Sequence, residues 1–234
     1  MNQSIDQAIE NEMGIFEELK KQYPSLKEFK DVIFQQFKNH FQAIINYVIE
    51  LYDGEIYASN WVINGAILRS LNFYRGAIWA LGTRNSHVFY DSLRSQCETL
   101  ALLHYCVSKP DYVTAAGLGN RETKDKSMKI VNILKMIDKL DKKYTGIRKD
   151  YDDLCNFVHP NPKSMVVNIE PLESNNSGFI VRIGTRCTRI DDVTAKKYLE
   201  ILLTWTDWVF RELSDLAKFK IDDFSNNKSV AKIQ

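Results

Sequence analysis

The sequence predicts a mainly α protein: a helical bundle with one β-hairpin inserted before its last long helix. Three observations carry this. Along most of the chain, apolar residues recur at steps of three and four, the spacing that gathers them on one helix face. Only residues 164–186 change to an alternation of period two. The breaks between periodic segments hold the Pro and Gly residues that stop helices.

Residues 1–30 read as an N-terminal helical extension. Ile5, Ile9, Met13, Phe16 and Leu19 share a face, and Tyr23-Pro24-Ser25 ends the helix because proline disfavours helix in the residue before it. A single helical-bundle domain is expected over 31–219. Its first helix carries Phe34, Phe37, Phe41, Ile44, Val48 and Leu51 and closes at Asp53-Gly54. The next, from about Ser59 to Thr83, carries Ile67, Leu71, Tyr74, Ile78 and Leu81, with Arg69, Asn72 and Arg75 off the stripe. Gly65 and Gly76 are expected to let neighbouring helices approach, and Trp61 and Trp79 to add buried apolar area.

A helix from about His87 to Val107 has Phe89, Leu93, Cys97, Leu100 and His104 inward, and ends at Lys109-Pro110. Its second stripe, Tyr90, Arg94, Glu98 and Tyr105, is polar or amphipathic. A helix over 121–143 carries Ile130, Ile133, Ile137 and Leu140, and breaks at Thr145-Gly146. A short helix from Ile147 to Val158 then runs into His159-Pro160-Asn161-Pro162. Met165, Val167 and Ile169 alternate with polar and apolar neighbours, as do Phe179, Val181 and Ile183, giving the hairpin at 164–186. The last long helix starts at Asp191 or Asp192, good N-cap residues, and carries Tyr198, Leu202, Trp205, Val209 and Leu213. Residues 220–234 form a polar tail.

At 44% hydrophobic and 12% aromatic, a chain of 234 residues can bury a sizeable core. A net charge of +1 argues against binding nucleic acid through global charge, though not against a local basic patch. The opening Met-Asn-Gln-Ser-Ile-Asp-Gln lacks the basic and apolar runs of a secretory signal, and the longest apolar helix is interrupted by Asn, Arg and Gly, so a cytoplasmic protein without a membrane span is expected. Cys97, Cys106, Cys155 and Cys187 form no C-x-x-C pair and read as free thiols in a reducing compartment. His40, His87, His104 and His159 show no metal-ligand spacing, so neither a metal nor another cofactor is expected. His104, on a core stripe, reads as a satisfied buried histidine.

The candidate catalytic set is Arg94, Glu98 and His159, with Asn156 in support. His159 would end a helix, where the dipole favours imidazolium. An arginine can hold phosphate oxygens and stabilise charge building on them. A histidine can move a proton to or from a ribose hydroxyl or a leaving oxygen. Glu98 would orient the histidine or act as a base. Such a set can cleave RNA without a metal. Against this stands a structural reading, favoured on the residues alone, in which Arg94 and Glu98 form an intrahelical ion pair and His159 holds a turn.

Leu93-Arg94-Ser95-Gln96-Cys97-Glu98-Thr99-Leu100, followed by Ala-Leu-Leu-His-Tyr, together with Tyr151-Asp152-Asp153-Leu154-Cys155-Asn156-Phe157-Val158-His159-Pro160-Asn161, resembles an uncharacterised bacterial family of HEPN type. The resemblance implies a helical bundle, often a homodimer, acting in toxin–antitoxin, abortive-infection or CRISPR systems. Many such proteins are metal-independent ribonucleases, and others bind nucleotides without cutting. The nuclease members carry Arg and His a few residues apart on one helix. Here the nearest upstream arginine on that helix is the distant Arg148, so the guanidinium would come from Arg94 on the neighbouring helix.

Two expectations follow: a metal-independent RNase of bacterial stress or phage defence, or a non-catalytic module binding nucleotide, nucleic acid or protein. A small-molecule enzyme using the same triad is a third. The lysines between Lys124 and Lys143 could neutralise a phosphate backbone, but Asp125, Asp138 and Asp141 interleave with them, which favours a solvated face.

Overall fold

The computed structural model describes residues 19, 23, 35, 39, 58–83, 85–110, 112–113, 131–158, 169–171, 179–181 and 190–217. Most of these belong to helices: α1 Ala58–Gly82, α2 Ser86–Ser108, α3 Ile133–Asp141, α4 Ile147–Val158 and α5 Asp192–Ala217. The protein is mainly α, as its apolar periodicity predicts. Two three-residue strands, β1 Ile169–Pro171 and β2 Phe179–Val181, pair antiparallel with Glu170 opposite Ile180. The rest of 164–186 lies outside the described residues. So do the tail at 220–234 and nearly all of 1–57, apart from buried Leu19 and Tyr23 and the helical Gln35 and Asn39.

The chain divides into two compact units. The first holds Asn72–Ser95 and Lys149–Thr204, and the second Gln96–Arg148 and the chain from Trp205 onward, together with 42–71. Helices α1, α2 and α5 each give one segment to each unit.

In the first unit Tyr74, Ile78 and Leu81 of α1 are buried with Phe89, Tyr90 and Leu93 of α2, Tyr151 and Leu154 of α4, and Tyr198, Leu199 and Leu202 of α5. The stripes read from the sequence are the buried faces. Gly76 meets the expectation of a close approach, since a Cβ there would lie 3.2 Å from Ser92 Oγ. Gly65 does not, because a Cβ there would meet open space. Trp79 is a second correction: it is 49% exposed, not core. Its position explains this. Trp79 lies four residues after Arg75 and seven after Asn72, both exposed, so it shares their side of α1.

In the second unit Ile63 and Ile67 of α1 are buried with Cys97, Leu100 and Leu103 of α2, Ile137 and Leu140 of α3, and Val209 and Leu213 of α5. Cys97 and Cys106 are free and buried, and burial pushes the Cys106 thiol up to about 12. One polar node crosses this core. Gln96 Nε2 donates to Ser70 Oγ at 2.6 Å and to Thr206 Oγ1 at 3.1 Å, so α1, α2 and α5 share it. All three side chains are almost fully buried.

The ends of the helices follow local chemistry. Of the helix expected over 121–143, residues 121–130 lie outside the described residues; α3 begins at Ile133, where the Asn132 side chain caps it by accepting the Leu134 N–H at 2.9 Å. After α3, Gly146 takes φ 98°, where a Cβ is disfavoured. Asp141 Oδ1 accepts the N–H groups of Gly146 at 2.9 Å and Arg148 at 3.0 Å, fixing the turn into α4.

Asp191 caps α5, as expected, accepting the Thr194 N–H at 2.7 Å and its hydroxyl at 3.0 Å. The Thr194 N–H is the chief reason its carboxyl lies below the ordinary aspartate value. Asp191→Ala is expected to cost about 1 kcal/mol of unfolding free energy, read by urea denaturation. A variant unfolding at the wild-type midpoint would show that this cap contributes nothing.

Candidate functional site

Arg94 lies on the first-unit segment of α2, with its side chain one-fifth exposed. Its guanidinium meets Asp91 Oδ1 at 3.2 Å, three residues back on the same helix. One turn before Arg94, Tyr90 stacks on Phe157 of α4, with ring centroids 4.3 Å apart and planes 17° from parallel. Tyr198 of α5 closes edge-on against both, at 5.3 Å from Tyr90 and 6.5 Å from Phe157. Tilted and offset pairs of this kind suit the aromatic quadrupole and add to the area they bury. The first-unit segment of α2 therefore lies against the last turn of α4 through Tyr90, one turn before Arg94. Asn156, next to Phe157, is half-buried. His159 lies outside the described residues.

The surroundings of this junction are acidic and aromatic. Burial raises the Asp150 carboxyl above the usual aspartate value, against the pull of Lys197. Burial, with Asp153 and Asp150 nearby, pushes the Tyr198 hydroxyl up to about 12, so it stays protonated near neutral pH.

Glu98 belongs to the other unit. Its carboxylate lies 3.9 Å from the Arg69 guanidinium of α1, and Arg69 Nε donates to Thr99 Oγ1 at 3.0 Å. Arg94 thus pairs with Asp91, and Glu98 with Arg69.

The strongest charge cluster is one the sequence reading did not single out. Glu212 of α5 is fully buried. Its Oε1 accepts from Lys143 Nζ at 2.7 Å and from the Tyr144 hydroxyl at 3.0 Å, and its Oε2 lies 3.3 Å from His104 Nδ1. Tyr144 in turn stacks on Trp208 at 4.1 Å. Burial alone would raise the Glu212 carboxyl, but the hydrogen bonds from His104 and Lys143 outweigh it and hold the group below the ordinary glutamate value. Burial tends to lower the Lys143 ammonium, and the bond and charge of Glu212 reverse this and raise it. Beside the cluster is an open depression of about 600 Å³ lined by Lys143, Tyr144, Phe210, Arg211, Ser214 and Asp215. His104 is thus the satisfied histidine expected of it. A signal for Glu212 existed: it lies three residues after Val209 and four before Leu216, in phase with an apolar stripe, where a charge requires partners.

Among the described residues no group of three or more His, Cys, Asp and Glu is placed to hold a metal ion. Nor is any helix among them long and apolar enough to cross a membrane. No family model, curated protein or solved structure matches the chain.

Proposed function

We propose that the chain is a HEPN-like helical-bundle protein that acts on RNA, cutting it without a metal ion in bacterial stress or phage defence. One juxtaposition supports the reading. Tyr90, a turn before Arg94, stacks on Phe157 in the chain segment that leads to His159. In this scheme Arg94 holds a phosphate oxygen, His159 moves the proton between the ribose hydroxyl and the leaving oxygen, and Asn156 supplies a further polar contact. The architecture is one bundle domain over 31–219 with its hairpin at 164–186, working as a cytoplasmic homodimer.

A second reading has its own support. The Arg94 guanidinium already has a carboxylate at 3.2 Å, and a phosphate would have to compete with it. On that reading the chain is a non-catalytic module that holds RNA or a nucleotide whole, or meets a protein partner through its hairpin.

One assay separates the two. Purified full-length chain is incubated with labelled RNA, with and without EDTA. Cleavage that EDTA leaves unchanged is the expected result. RNA that is bound but stays intact in both arms would overturn the nuclease reading in favour of the binding module.

A further inference from the structure

We propose that α3 and the end of α2 form a binding surface for the phosphate backbone of single-stranded RNA, built on Lys109, Lys135, Lys139 and Lys142. The choice of RNA rests on the function proposed above; the cationic surface itself is argued from three observations about α3 and its neighbours.

The first is a sorting of charge. In sequence, the lysines and aspartates of α3 interleave. At about 100° per residue, Lys135, Lys139 and Lys142 fall within about 60° of one another around the helix. Met136, Ile137 and Leu140 are buried on another side. Asp141 falls about 100° from Lys142, while Asp138 lies only about 40° from it, and both carboxylates are in use. Asp138 is bonded to the Arg148 guanidinium, and Asp141 accepts the backbone N–H groups that begin α4. Asp138, beside the lysines on the helix, is thus held by Arg148, and Asp141 by the backbone that begins α4.

The second is a convergence of like charges. Lys109 and Lys139 both approach the Tyr105 ring, with ammonium groups 5.5 Å and 5.1 Å from its centroid. Lys139 Nζ also donates to Ser108 Oγ at 2.5 Å. Among the described residues neither lysine has a carboxylate within ion-pair distance. Tyr105 supports both cations through its ring face without neutralising them. A phosphate oxygen would neutralise them.

The third is length. From Lys135 to Lys142 the helix rises about 10 Å. Cations strung over that distance suit successive phosphates of a chain better than one phosphate ion.

The test measures binding of full-length protein to fluorescent oligouridine by anisotropy, across a series of potassium chloride concentrations. Two double variants are compared with wild type: Lys109→Gln with Lys139→Gln, and Lys135→Gln with Lys142→Gln. Glutamine keeps much of the aliphatic stem and removes the charge. Lys135 and Lys142 are exposed, so the second pair remains informative should the first disturb folding. Each pair is expected to flatten the slope of log affinity against log salt by about 1.4, and to weaken binding on the order of tenfold near 0.1 M salt. Unchanged slope and affinity in both folded variants, with RNA still bound, would overturn this surface and leave the proposed action on RNA standing. Wild type that neither binds nor cuts RNA would overturn that action too. Vesicles of anionic lipid form a parallel arm. Lysine-dependent binding to vesicles, with none to oligouridine, would assign the cations to a membrane surface and overturn the RNA proposal.

Discussion

Glu212→Ala is expected to lower the unfolding free energy by about 3 kcal/mol, near the bottom of the range for removing one partner of a buried ion pair. The carboxylate is fully buried and answers three groups at once: Lys143, Tyr144 and His104. Without it, the Tyr144 hydroxyl and the His104 ring each lose a partner, and alanine leaves a void where the side chain stood. The loss is moderated because the Lys143 side chain is 41% exposed and its ammonium can turn to water. Glu212→Gln, which keeps the volume, should fall between wild type and Glu212→Ala. A Glu212→Ala protein unfolding within about 1 kcal/mol of wild type in urea would show that the cluster contributes little, as ordinary surface positions do.

The same cluster sets a pH dependence whose sign follows from the shifts of Glu212 and Lys143. The Glu212 carboxyl lies lower in the folded chain than in the unfolded one. Its contribution is therefore complete above the unfolded glutamate value of about 4.3 and is lost as pH falls through the folded value. Lys143 is raised. Its contribution is complete below the unfolded lysine value of about 10.4 and is lost as pH rises through the folded one. Between these limits the contributions of Glu212 and Lys143 are flat. Wild type and Glu212→Gln should differ at neutral pH and converge in acid. A difference that widens as pH falls would contradict the assignment.

His159→Ala is expected to lower RNA cleavage by about 10²- to 10⁴-fold, the usual worth of a positioned acid or base. Arg94→Ala should cost about 10²- to 10³-fold if its guanidinium stabilises charge on the phosphate. Both variants should keep their thermal midpoint within a few degrees. Their binding to uncut RNA should outlast their activity, since the lysine surface is untouched. Arg94→Lys separates the roles of charge and shape, because lysine cannot reproduce the two-pronged hold of a guanidinium. If Arg94 serves only its helix, through Asp91 at 3.2 Å, Arg94→Ala will shift the melt modestly and leave cleavage unchanged. That pattern would remove Arg94 from the mechanism.

The sequence was informative wherever a residue's role depends on its own turn or stripe. Tyr74, Ile78, Leu93, Leu154, Leu202 and Val209 are buried as their spacing requires. Asp191 caps α5 and Gly146 breaks the chain before α4 because each acts on groups a few residues away. What periodicity could not supply was pairing across long separations. Glu212 finds Lys143 and His104 at 69 and 108 residues' distance, and Arg69 finds Glu98 across two helices. Nor does a run of mixed charge reveal which members a neighbouring segment will claim. Asp138 and Asp141 are taken by Arg148 and the start of α4, and this changes the reading of the lysines beside them. Trp79 was misplaced for a related reason: size suggested the interior, while its phase on α1 put it outside.

The amide of Gln96, set among Ser70 and Thr206, has a consequence for how the chain chooses one native arrangement. Leucine and isoleucine contacts are forgiving, and a helix that slipped along its axis by a turn would find other methyl groups to touch. A sunken carboxamide is not forgiving. After such a slip, its donors would face hydrocarbon, and both hydroxyls would lose their mate. The node thus works as a locating pin, excluding near-miss alignments that oily surfaces alone would tolerate.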